Sequence, residues 1–320
     1  MQLRENLKTK IQSAYCIAGE DLYLKGEALA LLRALAGEDM REFNLSELDG
    51  ANIMVSDILT TFMQVPFMAE RRVVVVREFT KNISDDDYDK LLSAIEKTDD
   101  AVLVFYYAST PPAFVKKLAT FIDCSKLKDG EVKEIAENWC KERGYVVTSS
   151  ALYKLITYTN CDLMKIKNEL EKLFAYCEGD RSISEIDVGD VVSRDIEFVV
   201  FALSNAVSDK RAKDAYEILS EARGDVGKNL GMLTTLINQF RRMLHVLLNK
   251  TSNKADLARY LGISEYAVSR TLSLANKYKS ARLKAITDKF EEVEYLFKSG
   301  QIPTVDEALF IGVTYALDNT

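Results

Sequence analysis

A run of four valines, Val73–Val76, is the feature that most limits how this chain can fold. The run lies between Arg72 and Arg77. β-Branched side chains pack well on a pleated strand, and an uninterrupted apolar run is typical of a strand that is covered on both faces. Both faces are covered mainly in parallel sheets, where helices connect the strands. The valine run therefore predicts a strand inside a parallel α/β sheet.

Four other short apolar segments in the first 128 residues alternate with segments of helical pattern. Strand, helix and strand in alternation are the signature of βαβ units and a parallel sheet. The other predicted strands are Ser13–Ala18, Arg41–Leu45, Ala101–Tyr107 and Thr120–Asp123. Helices are predicted up to about Ala36, over Val55–Met63, from the acidic cluster Asp85–Asp87, and from Pro111 as a first-turn proline.

This layout is that of a nucleotide-binding domain, so a phosphate loop is expected after the first strand. That strand is instead followed by Gly19-Glu20-Asp21, whose carboxylates would repel a phosphate. The only Gly-Lys pair, Gly227-Lys228, has the wrong glycine spacing and lies between predicted helices. Asn229 follows it, where Ser or Thr would bind magnesium. We therefore expect no ATP site, no catalytic residue and no cofactor.

After residue 128 the pattern becomes helical. Lys128–Gly144 reads as one helix closed by glycine, Leu163–Phe174 has apolar residues at helical spacing, and Ser184–Val192 adds a small helix. From Ser193 onward the sequence predicts only helices, several of them long. Three domains are therefore predicted: an α/β domain at 1–128, a small helical domain at 129–192 and a helical domain at 193–320.

An apolar segment lies between the helix that ends near Met63 and the valine strand. Proline moves the residue before it out of helical dihedrals, so Val65-Pro66 should end the helix and turn the chain outward. One interpretation places Phe67 under the sheet as core, and local pattern alone favours it. The other makes Phe67 an aromatic anchor for a partner's pocket. The segment consists of Val65, Pro66, Phe67 and Met68.

The segment 255–272 has the spacing of a helix-turn-helix. Ala258 lies inside the first helix, Gly262 in the turn, and Val268 holds the second helix. The pattern suggests a DNA-binding regulator, but two helices that meet at a tight turn need the same residues for packing alone. The surroundings are basic, with Lys250, Lys254, Arg259, Arg270, Lys277, Lys279, Arg282 and Lys284.

Composition limits the classes of function. A net charge of −7 argues against a protein that holds nucleic acid by itself, because sequence-independent affinity needs a cationic surface. Five cysteines without a CxxC pair and one histidine, His245, fit neither a zinc site nor a disulfide framework, so we expect buried, reduced thiols and no metal. No apolar run approaches the ~20 residues that cross a bilayer, and the N-terminus lacks a signal core. We expect a cytoplasmic protein without a membrane partner.

Several stretches, in the right order from Tyr15 to about Gly300, resemble the delta subunit of the bacterial DNA polymerase III clamp loader. No single stretch is decisive, but their order over nearly the full length is specific. The stretches are Gly19–Leu24, Val65–Val76, Lys128–Gly144, Leu163–Phe174, Gln239–Arg242, 255–272 and Leu296–Gly300.

The resemblance implies a degenerate AAA+ module without ATP hydrolysis. Residues 1–128 would form a RecA-like domain, 129–192 a helical lid and 193–320 a helical collar that joins subunits. The family binds the ring-shaped sliding clamp, beta, and opens one of its interfaces so that the ring can be loaded onto primed DNA during replication. The implied partners are therefore the clamp, the gamma or tau ATPase subunits, delta-prime and primed DNA.

The resemblance also implies where the clamp binds. In the family, an apolar pair at the tip of a helix enters a hydrophobic pocket on the clamp, and Pro66-Phe67 matches that pair, flanked by Val65 and Met68. The pair is often led by leucine, so the proline is a departure and makes Phe67 the expected anchor. The resemblance implies that segment 255–272 packs within the collar. A helix-turn-helix DNA-binding regulator that uses this segment stays the alternative function. Candidate contacts to DNA or a neighbouring subunit are Arg270, Lys277, Lys279 and Arg282.

Overall fold

The computed structural model describes residues 2–108, 110–263 and 265–319. The chain forms two compact units. The first consists of Met1–Trp139 with Leu163–Asn168, and the second of Cys140–Asp162 with Glu169–Thr320. These units do not decide the division into three domains at residues 128 and 192, which stays a prediction.

Five strands form a parallel sheet in the first unit: β1 (Ala14–Ala18), β2 (Leu45–Asp49), β3 (Arg72–Arg77), β4 (Ala101–Tyr106) and β5 (Thr120–Asp123). Their order across the sheet is β2-β3-β4-β1-β5, so the valine strand β3 lies inside it. The side chains of Val73–Val76 alternate between the two faces, and all four are fully buried. The prediction of a parallel α/β sheet is confirmed.

Helices cover both faces of this sheet. The helices of this region are α1 (Gln2–Thr9), α2 (Leu22–Arg33), α3 (Arg41–Asn44), α4 (Val55–Phe62), α5 (Asp85–Lys97) and α6 (Ala113–Leu118). Buried residues of α2 pack on one face, and those of α4, α5 and α6 pack on the other. The acidic cluster Asp85–Asp87 forms the first turn of α5, as predicted, and Ser84 caps that helix by accepting from the N–H of Asp87. A 3-10 turn, Ala34–Ala36, follows α2.

The strand predicted over Arg41–Leu45 is wrong. Arg41–Asn44 is a single helical turn that starts after Met40, whose φ is 55°, and the strand begins at Leu45. The side-chain amide of Asn44 closes the turn by donating to the carbonyl oxygen of Met40 at 3.2 Å. The true strand β2 lies at the edge of the sheet and carries several polar side chains, so it reads like a loop in the sequence.

The helix predicted to begin at Pro111 begins instead at Ala113. Pro112 comes directly after Pro111, and a residue that precedes proline is disfavoured in helical dihedrals. Pro112 is therefore the N-cap residue, with a ψ of 148°, and the helix starts after it.

The second unit is helical apart from a parallel pair of two-residue strands, β6 (Val146–Val147) and β7 (Ser182–Ile183), which the sequence did not predict. Strands this short leave no periodic pattern in a sequence. Two helices, α7 (Asp129–Glu142) and α9 (Leu163–Tyr176), cross the boundaries of the units. The remaining helices are α8 (Ser149–Tyr158), α10 (Glu185–Val191), α11 (Ile196–Ser208), α12 (Ala212–Ala222), α13 (Val226–Leu248), α14 (Lys254–Leu261), α15 (Glu265–Ala275), α16 (Ser280–Lys298) and α17 (Val305–Asp318).

The core of the second unit lies mainly among α11, α13, α16 and α17. Phe240 of α13 stacks on Phe290 of α16 with ring centroids 5.1 Å apart. From Ser193 onward, the part of the chain that the structure describes has helices as its only regular elements, as predicted. No helix within the described ranges is both long and apolar enough to span a bilayer.

Four of the five cysteines are buried: Cys16, Cys124, Cys140 and Cys177. Burial raises the pKa of the Cys16 thiol to about 12 and that of Cys124 to about 11. Because the thiolate is the reactive form, both should resist iodoacetamide at pH 8 in the folded protein and react after unfolding in guanidinium. Mass spectrometry of the labelled protein measures this, and equal labelling rates for Cys16 in native and unfolded protein would contradict its place in the sheet.

Candidate protein-docking surface

The segment between α4 and β3 presents apolar side chains to solvent. Val65 is 80% exposed, Phe67 52% and Met68 78%. Helix α4 has already ended at Phe62, and Pro66 keeps the chain from continuing as a helix. Single exposed apolar residues are ordinary, but several within four positions form a patch. The interpretation of Phe67 as a core residue is therefore wrong, and its role as an anchor stays a prediction.

The backbone of Phe67 is held by a side chain from 23 residues earlier. The N–H of Phe67 donates to Oδ1 of Asn44 at 2.7 Å, and Nδ2 of Asn44 donates to the carbonyl oxygen of Phe67 at 2.8 Å. Asn44 itself is completely buried. One amide thus satisfies both main-chain groups of Phe67, as a neighbouring strand would. The exposed ring of Phe67 is therefore attached to a backbone that two hydrogen bonds hold in place.

Phe43 lies directly against Phe67. The two ring centroids are 5.5 Å apart with planes tilted by 52°, a favourable geometry for aromatic pairs. Phe43 is 53% exposed, so each ring covers part of the other and leaves about half of itself in water. The exposed apolar patch therefore combines two separate segments of the chain.

Arg72, the first residue of β3, fixes the position of Phe43. Its Nη1 donates to the carbonyl oxygen of Phe43 at 2.6 Å, and its Nη2 donates to Oγ of Ser46 at 2.9 Å. Burial lowers the pKa of the Arg72 guanidinium. The turn that carries Phe43 and Asn44 is thereby tied to an inner strand of the sheet.

Sequence reasoning missed Phe43 and Asn44, because it placed both in a strand. In a strand, adjacent side chains point to opposite faces, so they would not have been read as one feature. One signal was present: asparagine is depleted in strands, and when buried it needs partners for its amide. Its partner, the backbone of Phe67, cannot be read from local pattern.

The loop after β1, where a nucleotide-binding domain would hold a phosphate, is closed by the chain itself. The N–H of Asp21 donates to the carbonyl oxygen of Cys124 at 2.8 Å. Oδ1 of Asp21 accepts from the N–H of Leu24 at 2.9 Å, at the N-terminus of α2. A phosphate would need these same N–H groups, and an internal carboxylate already lies there.

The other candidate, Gly227-Lys228, lies in the first turn of α13 and not after a strand. The carboxylate of Asp225 caps this helix by accepting from the N–H of Lys228 at 3.0 Å. The glycine therefore belongs to a helix start and forms no loop that could surround a phosphate.

Two of the candidate DNA or subunit contacts, Arg270 and Lys277, each contact a side chain of the second unit. The guanidinium of Arg270 lies 3.6 Å above the ring centre of Phe201. Nζ of Lys277 donates to Asp209 at 2.6 Å, and this bond lowers the pKa of Asp209. Lys279 and Arg282, at the start of α16, are exposed.

The predicted helix-turn-helix is present as α14 and α15, two short helices that pack with α13. Gly262 ends α14 with a left-handed φ of 64°, as the turn requires. Leu257 and Val268 form a small core with Val246 of α13. Ser264 lies outside the described residues. Of the residues that the motif singled out, Val268 and Ala258 pack in this small core, and Gly262 makes the turn.

Comparison with known proteins gives consistent matches. The family model described as "DNA polymerase III, delta subunit" matches residues 15–126, and that of "DNA polymerase III delta subunit, C-terminal domain" matches residues 197–310. A relative from Bacillus subtilis (strain 168), DNA polymerase III subunit delta, is 22% identical over 312 residues, which cover 92% of this chain and 90% of that protein. The solved structure of the Bacillus subtilis DNA clamp loader delta protein superposes with a TM-score of 0.81 at 20% identity and covers 99% of both chains. These two chains share a fold.

Proposed function

Because this chain belongs to the DNA polymerase III delta subunit family, we propose that it binds the sliding clamp through the 65–68 segment and opens the ring for loading onto primed DNA. The observation that carries the proposal is the half-exposed ring of Phe67 on a backbone held by Asn44. The family resemblance aligns its clamp-binding pair with Pro66-Phe67. A residue in that role must reach a partner's pocket, and the exposure of Phe67 supports this.

Affinity would come mainly from one aromatic anchor. An aromatic side chain that becomes fully buried at the centre of an interface contributes ~2–4 kcal/mol when tested by alanine substitution. Val65 and Met68, which flank the anchor, would exclude water around it. Because the backbone of Phe67 is already ordered, little conformational entropy is lost when the clamp binds. Pro66 contributes to the same end by limiting the freedom of the segment.

Ring opening follows if the docking surface fits an open clamp interface better than a closed one. A ligand shifts a conformational equilibrium only by the difference between its free energies of binding to the two states. An anchor worth ~2–4 kcal/mol can supply a useful part of that difference. No chemical step in this chain is required.

Energy from ATP would enter through other subunits. Since the N–H groups after β1 are used by Cys124 and Asp21, we propose that this chain does not bind ATP. The gamma or tau ATPase subunits and delta-prime would act beside it in a cytoplasmic replication complex. The helices of 193–320 would form the collar that joins this chain to the other subunits. Contacts to primed DNA or a neighbouring subunit would involve Arg270, Lys277, Lys279 and Arg282.

The test uses the purified chain and the sliding clamp of the same organism, with a fluorophore pair placed across one ring interface. We expect saturable separation of the pair as the chain is added without ATP, because the proposed bias comes from binding alone. Binding without separation would remove the ring-opening part of the proposal. Absence of binding would contradict the proposal as a whole. The helix-turn-helix alternative predicts instead specific binding of duplex DNA by this chain as a dimer.

A further inference from the structure

We propose that the docking anchor consists of two rings, Phe43 and Phe67, and that Asn44 is the residue that positions the ring of Phe67. This inference rests on the proposed function, because it concerns the same interface with the clamp. It adds one contacting residue and one positioning residue from α3, which lies outside the 65–68 segment. The partner that fits is an uncharged apolar pocket wide enough for two adjacent rings.

Asn44 uses its amide fully. Nδ2 donates to the carbonyl oxygens of Phe67 at 2.8 Å and of Met40 at 3.2 Å, and Oδ1 accepts from the N–H of Phe67 at 2.7 Å. Both donors and the acceptor are therefore bonded to main chain. Alanine at this position would leave both main-chain groups of Phe67 without their partners, so the segment would lose its fixed orientation.

The backbone of the second ring, Phe43, is held by a different residue. Arg72 of the inner strand β3 donates to the carbonyl oxygen of Phe43, while Asn44 is the next residue in the chain. The two backbones are thus linked, and their rings meet at 5.5 Å. Neither ring is covered by other parts of the first unit on its outer side, since each remains about half exposed.

The apolar surroundings indicate the chemistry of the partner. The side chains of Met40, Met63, Val65 and Met68, on the same two segments, are also exposed. A patch of methionine and aromatic side chains adapts well to an apolar pocket. An acidic or basic partner surface would leave its charges unpaired against these residues.

The experiment measures clamp affinity by surface plasmon resonance for the full-length wild-type chain and its variants. Asn44→Ala and Phe43→Ala should each weaken binding about tenfold. The double variant Asn44→Ala/Phe67→Ala should bind within about twofold of Phe67→Ala alone, because Asn44 acts through the ring that is already missing. Loss of fold stability by itself would not produce that lack of additivity.

Asn229→Ala is the matched control for Asn44→Ala. Asn229 is also buried and bonds the carbonyl oxygen of Ala222 and the carboxylate of Asp306, but it lies in the second unit. Clamp affinity of this variant should equal that of wild type. If Asn44→Ala fails to fold by circular dichroism, Phe43→Ala decides, because Phe43 is half exposed and its removal leaves the core intact.

The outcomes separate this inference from the function on which it rests. The inference would be overturned if Asn44→Ala or Phe43→Ala bound the clamp as tightly as wild type. It would also be overturned if Asn44→Ala weakened clamp affinity in the Phe67→Ala background as much as it does in wild type. In each case the clamp site at Phe67 would still stand. Unchanged affinity in Phe67→Ala itself would instead overturn the proposed site.

Discussion

Replacing Phe67 with alanine should weaken binding to the sliding clamp by about tenfold or more and leave the fold intact. The ring is half exposed, so its loss opens no cavity in the core. Both bonds from Asn44 reach the backbone of Phe67, and alanine keeps the same N–H and carbonyl groups. The substitution therefore removes the proposed anchor ring and keeps the hydrogen bonds that hold its backbone. The measurement is the dissociation constant by surface plasmon resonance, with thermal unfolding as the check on the fold.

Phe121→Ala is the control for this prediction. Phe121 is 43% exposed, belongs to the same unit and lies on the edge strand β5, away from the 65–68 segment in sequence. Its replacement removes a similar amount of exposed aromatic surface and should leave clamp affinity unchanged. If Phe67→Ala also binds as tightly as wild type, the anchor lies elsewhere on the chain.

Replacing Gly19 with alanine should destabilise the first unit by more than ~4 kcal/mol. A Cβ at this position would lie 2.1 Å from the carbonyl carbon of Cys124. The φ of Gly19 is +144°, a value that residues with a side chain rarely adopt. The obstacle is backbone, so no side-chain rotation relieves it. The turn would have to open, and the hydrogen bond from the N–H of Asp21 to the carbonyl oxygen of Cys124 would be lost. Urea unfolding followed by circular dichroism measures the loss.

Gly26→Ala provides the contrast. Gly26 lies in the exposed part of α2 with open space where its Cβ would be. Alanine there should stabilise the protein by ~0.5–1 kcal/mol, because it reduces the entropy of the unfolded chain and favours the helix. A Gly19→Ala protein as stable as wild type would show that the loop after β1 is open, and the argument against a bound phosphate would fall.

The sheet could be predicted because its inner strands carry their own signal. The Val73–Val76 run is buried on both faces, so every residue had to be apolar and the strand stood out in the sequence. Edge strand β2 is partly solvated and needs no such run. Its bounds were therefore not marked in the sequence, and the prediction placed the strand too early, over Arg41–Leu45. For the inner strands, burial on both faces, more than strand propensity, made the strand visible.

The exposed apolar surface that we propose for docking could be predicted only in part. The 65–68 segment was found from its proline and from the family resemblance, but local pattern favoured a buried Phe67. Whether that ring faces core or solvent depends on where its backbone is attached, and Asn44 decides this from 23 residues away. Phe43 escaped notice for the same reason, since a contact between distant segments has no periodicity.

The link between Asn44 and Phe67 also limits what a fragment of this chain can do. A synthetic peptide covering 61–71 contains the 65–68 segment, but it lacks Phe43 and the Asn44 amide that holds the backbone of Phe67. In such a peptide the main-chain groups of Phe67 would return to water, and the ring would sample many orientations. The proposed docking element would thus be a conformational epitope. Peptide arrays would under-report it, and an inhibitor designed to replace it must copy the arrangement of two loops.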